Sequence, residues 1–201
     1  METVSPQLGV EYAKNFGITT LTDTDMNAAT ALGGITKGVT NLELTAAFAS
    51  IANGGLYTKP VFFTKILDHN GKVLLENEPQ TKRVLKDSTA FLLTDALAES
   101  MESSRMFASS GVSLNSTSAV ANIPGMSNAG KSGTTTNNND IWFVGFTPYY
   151  TAGIWSGCDD NQKISAIGSS TSYHKKIWKA IMTKIHEGLA DTGFPVPSSV
   201  T

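Results

Sequence analysis

Apolar residues return at helical spacing in four stretches of the chain and gather as strands between them. Residues 6–16 put Leu8, Tyr12 and Phe16 on one side of a short helix, which Gly17 stops. Thr40-Asn41-Leu42-Glu43 has the form of a capping box, in which the threonine hydroxyl and the glutamate satisfy backbone donors at a helix start. The helix it opens carries Leu44, Ala47, Phe48 and Ile51, and Asn53-Gly54-Gly55 supplies a left-handed exit. Asp87 or Ser88 caps a further helix with Ala90, Leu93, Leu97 and Met101 on its stripe. The last helix follows Tyr173, Ile177, Trp178, Ile181, Ile185 and Leu189 and ends near Gly188.

Residues 61–67 and 72–75 are β-rich and flank Asp68-His69-Asn70-Gly71; Asn-Gly between apolar runs is a strong hairpin signal. Residues 141–147 and 150–157 form two more strands joined through Pro148-Tyr149. The first sets Trp142, Val144 and Phe146 on one face and Ile141 and Phe143 on the other, so helices must lie above and below it. From residue 102 to 128 the composition turns to Ser, Asn, Gly and Ala with little periodicity, which reads as one long loop. Phe194-Pro195-Val196-Pro197 reads as a terminal linker, and no internal repeat is visible. The fold class is α/β in the broad sense (α+β), an antiparallel sheet covered by helices.

Composition narrows the function. A chain of 201 residues with net charge -2 and 40% hydrophobic residues is ordinary for one globular domain. Its pI near 5.9 and scattered lysines form no basic stripe, which argues against nucleic acid as a partner. No apolar run is long enough to span a bilayer, and Met1-Glu2-Thr3 lacks the features of a signal peptide. The lone Cys158 reads as a small core residue near a strand end, and three scattered histidines, His69, His174 and His186, read as surface residues. No metal-ligand spacing is present, and no cofactor is expected.

One polar run carries chemistry. Lys131-Ser132-Gly133-Thr134 precedes the first long strand, with Asn137-Asn138-Asn139 as the turn between them. An ammonium and two hydroxyls along an edge strand can hold a carboxylate, and the glycine admits a substrate backbone close to the strand. An inward backbone N–H can then help to stabilise an acyl oxyanion.

Around that run, Ala129-Gly130-Lys131-Ser132-Gly133-Thr134-Thr135 and Asp140-Ile141-Trp142-Phe143-Val144-Gly145-Phe146-Thr147-Pro148 resemble the transpeptidase domain of class A, bifunctional penicillin-binding proteins. Further matches, in the family's order, are Glu11-Tyr12-Ala13-Lys14-Asn15-Phe16-Gly17-Ile18, Ala31-Leu32-Gly33-Gly34 and Ala47-Phe48-Ala49-Ser50-Ile51-Ala52-Asn53-Gly54-Gly55. Ile154-Trp155-Ser156-Gly157-Cys158-Asp159-Asp160 is similar to the family's next strand. The resemblance spans nearly the whole chain except residues 102–126 and the tail. It implies an incomplete penicillin-binding protein/serine β-lactamase-like transpeptidase fold. Residues 1–126 would be the mainly helical part with a small hairpin, 127–190 the sheet strands and C-terminal helix, and 191–201 a tail.

The resemblance also implies a D,D-transpeptidase that cross-links peptidoglycan stem peptides through a serine ester, which β-lactams trap. By position, Lys131 would orient and polarise the site, and Ser132, Gly133 and Thr134 would bind substrate. The backbone N–H of Thr134 would supply half of the oxyanion hole. The parent protein would act at the extracytoplasmic face of the bacterial cell membrane, its anchor outside this chain. Ser132 replaces the commoner threonine and keeps the hydroxyl, whereas the Ser-rich loop before Lys131 is a larger departure.

The family's Ser-x-x-Lys and Ser-x-Asn elements precede the stretch resembling residues 11–18, so the nucleophile is expected upstream of this chain. The literal Ser172-Tyr173-His174-Lys175 and Ser113-Leu114-Asn115 stand in the wrong order. Ser172 is expected to cap the final helix and Lys175 to project into solvent. The chain is expected to be inactive alone, to pair with the missing N-terminal half, and either to self-associate through apolar surface left uncovered or to be poorly stable. A serine β-lactamase-like hydrolase and a non-catalytic interaction module of the same fold are the alternatives.

Overall fold

The computed structural model describes residues 4–102, 105–107, 112–114, 116–164 and 172–200. In chain order these form α1 (Pro6–Asn15), α2 (Asn41–Ala52), β1 (Leu56–Thr58), β2 (Lys65–Leu67), β3 (Val73–Glu76), β4 (Thr81–Arg83), α3 (Asp87–Glu99), β5 (Arg105–Phe107), β6 (Val112–Leu114), β7 (Ala129–Thr134), β8 (Asp140–Phe146), β9 (Thr151–Gly157) and α4 (Tyr173–Ile185).

The alternating residues of β8 make it the centre of an antiparallel sheet in the order β7-β8-β9. Ile141 and Phe143 point to one face and Val144 and Phe146 are equally buried, so water is excluded from both sides. On one face α4 lays Trp178 edge-on against Phe143, with ring centroids 5.1 Å apart. On the other, Phe146 packs with Ile51 of α2 and Leu97 of α3. Helices therefore lie on both faces, as the double-sided strand requires. Gly130 of β7 stands opposite Gly145 of β8. A Cβ on Gly145 would come within 2.7 Å of the Trp178 ring, and one on Gly130 within 2.7 Å of the Phe143 ring. The glycine pair thus opens the groove that admits both aromatics.

Several expected helix faces differ from the observed ones. In α1 the inward residues are Val10, Ala13 and Phe16, and Leu8 and Tyr12 are exposed. Thr40 accepts from the Glu43 N–H as a cap should, but the Glu43 carboxylate accepts from the Thr40 hydroxyl at 3.1 Å and from the Thr19 N–H at 3.1 Å instead of from the Thr40 N–H. The predicted capping box therefore becomes a half-box plus a tertiary tie. In α3 the cap position is Lys86, and Asp87 lies inside the first turn. The correction to α4 is larger: its buried stripe is His174, Trp178 and Met182, while Ile177, Ile181, Ile185 and Leu189 are exposed.

The hairpin with its Asn-Gly turn forms, with Ile66 opposite Leu75, but the strand expected over residues 61–67 is confined to Lys65–Leu67 and its partner runs Val73–Glu76. A second pairing, β1 with β4, brackets that hairpin. The segment expected to be one long loop contains the antiparallel pair β5-β6, Met106 opposite Ser113, followed by a short 3-10 turn at Ala119–Ala121. The tail does not trail away as a linker. Phe194 stacks edge-on against Phe146 at 5.6 Å, and Asp191 accepts from the Ser127 hydroxyl at 2.9 Å. Cys158 is exposed, because the chain leaves the sheet at Gly157 and turns outward through Asn161.

Two buried polar groups organise the rest. Asp25 is fully buried and accepts from the backbone N–H groups of Thr22 and Thr36, each at 2.7 Å. Those hydrogen bonds hold its carboxyl well below the usual carboxylate range. His186, also buried, lies within 2.6 Å of the Met182 carbonyl through Nδ1. A carbonyl can only accept, so Nδ1 carries the proton and Nε2 accepts from the Thr147 hydroxyl at 2.7 Å. Thr147 in turn accepts from the Tyr149 and Tyr150 N–H groups, which fixes the β8-β9 turn to α4. Both His174 and His186 are thus core residues, not surface ones.

Candidate active site

Strand β7 runs from buried to exposed. Ala129 and Gly130 are buried, Lys131 is exposed, Ser132 and Gly133 are half-buried, and Thr134 is exposed. Its pairing partner among the described strands is β8, with Lys131 opposite Val144 and Thr134 opposite Ile141. The Lys131-Ser132-Gly133-Thr134 run therefore lies along a sheet edge anchored to the core by its first two residues. At Gly133 a Cβ would approach the Trp142 side chain to 3.3 Å, so a larger residue would crowd the strand pair.

The strand is locked at its far end. Asn137 and Asn138 adopt left-handed φ values of 64° and 60°, as residues with short amide side chains tolerate. Asp140 N–H donates to the Thr135 hydroxyl at 2.8 Å, and the Trp155 indole donates to the Asp140 carboxylate at 2.9 Å. The expected turn at residues 137–139 is present and fixes the relative register of β7 and β8.

Polar atoms converge beside Ser132. Its hydroxyl lies 3.0 Å from that of Thr117, in the turn that leads into the 3-10 segment. That turn is pinned to the strand: Ser116 donates to the Ser100 carbonyl, and the Ser100 hydroxyl donates to the Gly130 carbonyl at 2.8 Å. From the opposite side, Lys175 Nζ of α4 donates to the Thr117 carbonyl at 2.6 Å. Lys131 Nζ folds along its own strand to the Ser132 carbonyl at 2.8 Å. Burial lowers the Lys175 pKa, and the neighbouring Lys131 charge lowers it further.

The structure thus brings Lys131, Ser132, Gly133 and Thr134 together on one edge and adds Thr117 and Lys175, which sequence reasoning left out. Lys175 does not project into solvent. It flanks the buried His174 in the first turn of α4. Ser172 holds the cap position of that helix, where its carbonyl accepts from Lys175 and Lys176, but its side chain makes no capping hydrogen bond. Ser113 sits in β6, while Asn115 lies outside the described residues.

An antiparallel sheet with helices on both faces and Lys131-Ser132-Gly133-Thr134 along its edge is the architecture of the penicillin-binding transpeptidase class. A family model described as the penicillin binding protein transpeptidase domain matches residues 8–183, and the chain belongs to that family. It is 33% identical over 201 residues to penicillin-binding protein 1A of Clostridium botulinum strain Langeland, covering 100% of this chain and 23% of that protein. It is 36% identical over 197 residues to penicillin-binding protein 2D of Bacillus subtilis, covering 96% of this chain and 26% of that protein. The chain therefore spans about a quarter of the length of these relatives.

Among solved structures it is similar in fold to the PonA1 protein of Mycobacterium tuberculosis in complex with penicillin V. The TM-score is 0.79 at 23% identity, over 97% of this chain and 54% of that one. The D,D-transpeptidase domain of a peptidoglycan glycosyltransferase from Eggerthella lenta matches at TM-score 0.61 and 22% identity, over 92% of this chain and 49% of that one. Among the described residues, no helix is long and apolar enough to cross a membrane.

Proposed function

We propose that this chain is the later part of a serine D,D-transpeptidase domain and that β7 is its substrate-carboxylate edge. The observation that carries the reading is the hydroxyl of Ser132, half-buried on a strand edge and flanked by Lys131 and Thr117. Ser132 and the Thr134 hydroxyl bind the terminal carboxylate of a D-Ala-D-Ala stem peptide or of a β-lactam. Lys131 orients and polarises the site, Gly133 admits the substrate backbone, and the Thr134 backbone N–H is one oxyanion donor. The acylated serine belongs to a segment outside this chain, and the parent protein acts at the outer face of the bacterial cell membrane.

Exposed apolar surface on α4 supports a partner segment. Ile177, Ile181 and Ile185 form an apolar ridge along α4, each close to half exposed. Such ridges on otherwise folded domains are covered by another element.

The test is intact mass after incubation with a labelled penicillin. The chain alone is expected to stay unmodified, and the complete domain to gain one acyl group. A stoichiometric adduct on the chain alone, above all at Ser172, would overturn the reading.

A further inference from the structure

Outside the strand motif, the feature that the proposed activity leaves unused is Lys175. It stands in the first turn of α4, far in sequence from β7, yet its ammonium reaches the turn that touches Ser132. Three contacts make this a built arrangement. Lys175 Nζ meets the Thr117 carbonyl at 2.6 Å, the Thr117 hydroxyl meets that of Ser132 at 3.0 Å, and Ser100 ties both the turn and β7 to the end of α3. The helix that carries Lys175 is itself fixed to the sheet by His174, Trp178 and Met182, all buried. The base of the Lys175 side chain is thereby held beside the turn.

The electrostatics are unfavourable without an anion. Lys131 Nζ meets the Ser132 carbonyl and Lys175 Nζ the Thr117 carbonyl, close enough for the Lys131 charge to act on Lys175, and Lys175 is partly withdrawn from water. Two like charges held at one edge destabilise each other, and an anion between them removes that cost. A carboxylate there would accept from the Ser132 hydroxyl and be stabilised by both ammonium groups.

We propose that Lys175 is a positioning and specificity residue of the transpeptidase: it holds the Thr117 turn so that the Ser132 hydroxyl faces a ligand carboxylate, and it adds a second positive charge at that edge. It does not accept the serine proton and does not touch the reacting carbonyl. Its contribution is to binding of the anionic end of the donor peptide or β-lactam, not to bond breaking. This inference rests on the carboxylate-edge reading of β7 given above.

The test uses the complete polypeptide that carries this chain, with two acylating probes: benzylpenicillin and its methyl ester, which keeps the ring and removes the anion. Lys175→Met is expected to lower the second-order acylation constant for benzylpenicillin about tenfold, the scale of one charge-assisted hydrogen bond. The loss is expected in the half-saturating concentration, with the limiting acylation rate unchanged. Lys175→Arg is expected to retain most of the parent rate, and all three proteins are expected to react alike with the ester. Thr117→Val, which breaks the hydroxyl bridge without touching the charge, is expected to show a smaller loss of the same acid-selective kind. It also stands in should Lys175→Met fold poorly.

Equal reactivity of Lys175→Met and parent toward benzylpenicillin would overturn the proposal, as would an equal loss on acid and ester. Ser132→Ala, run beside them, separates the two levels of the argument. If Ser132→Ala discriminates acid from ester and Lys175→Met does not, the role of Lys175 fails alone. If neither variant discriminates, the carboxylate-edge reading fails and the proposal falls with it.

Discussion

Between pH 7 and pH 5 acid should weaken this protein through His174. The residue is 1% exposed, and neither ring nitrogen makes a well-formed hydrogen bond, the Trp142 backbone standing near enough only to offset the other effects in part. Burial, and secondarily the Lys175 charge, lower its pKa from 6.5 to about 4. The unfolded chain takes up a proton near pH 6.5 and the folded one refuses it until about pH 4, so unfolding is favoured as pH falls through that window. At about 1.36 kcal/mol per pKa unit the limiting loss is about 3 kcal/mol. The ring lies in the first turn of α4 beside the partly exposed Lys175, so water screens part of this, and about 1–2 kcal/mol is expected between pH 7 and pH 5. Urea unfolding of the parent and of His174→Leu at pH 7, 6 and 5 reads the effect directly. Leucine removes no hydrogen bond and keeps a similar volume, so the variant should match or exceed the parent, with the gap widening toward pH 5. Parallel pH profiles for the two proteins would refute the reasoning.

Three further outcomes follow from the packing. Trp178→Ala removes the ring seated in the groove over Gly145 and should lower stability by about 3–5 kcal/mol in chemical denaturation. Thr147→Val leaves His186 Nε2 and the Tyr149 and Tyr150 N–H groups without their shared hydroxyl; about 1–3 kcal/mol should be lost, with the aromatic near-UV signal of the β8-β9 turn altered. Asp25→Asn should lower the melting temperature near neutral pH. Because hydrogen bonds from Thr22 and Thr36 depress the Asp25 pKa, its stabilisation is present above the ordinary carboxylate pKa and fades as pH falls below it. The variant should therefore lose less than the parent on acidification from pH 5 to pH 3, followed by thermal unfolding.

The strands and helices near the site were legible because their signals are local. A period of two in residues 141–146 and the Asn run at 137–139 depend on pleat geometry and on backbone conformations that short amides tolerate. Thr117 and Lys175 were not legible as site residues. They are 15 residues before and 43 residues after Ser132 in the chain, and no periodicity relates positions brought together by packing.

Helix α4 separates the two kinds of information most clearly. Its sequence determines that residues 173–185 are helical, and by hydrophobicity alone the isoleucines should be inside with Trp178. Only the sheet decided otherwise. The Gly130–Gly145 pair leaves a groove that fits the Trp178 ring, and seating that ring turns His174 and His186 inward, exposes the isoleucines, and swings Lys175 to the edge of β7. Hydrophobicity ranks residues one at a time, whereas the face a helix buries is set by the shape of the surface that receives it.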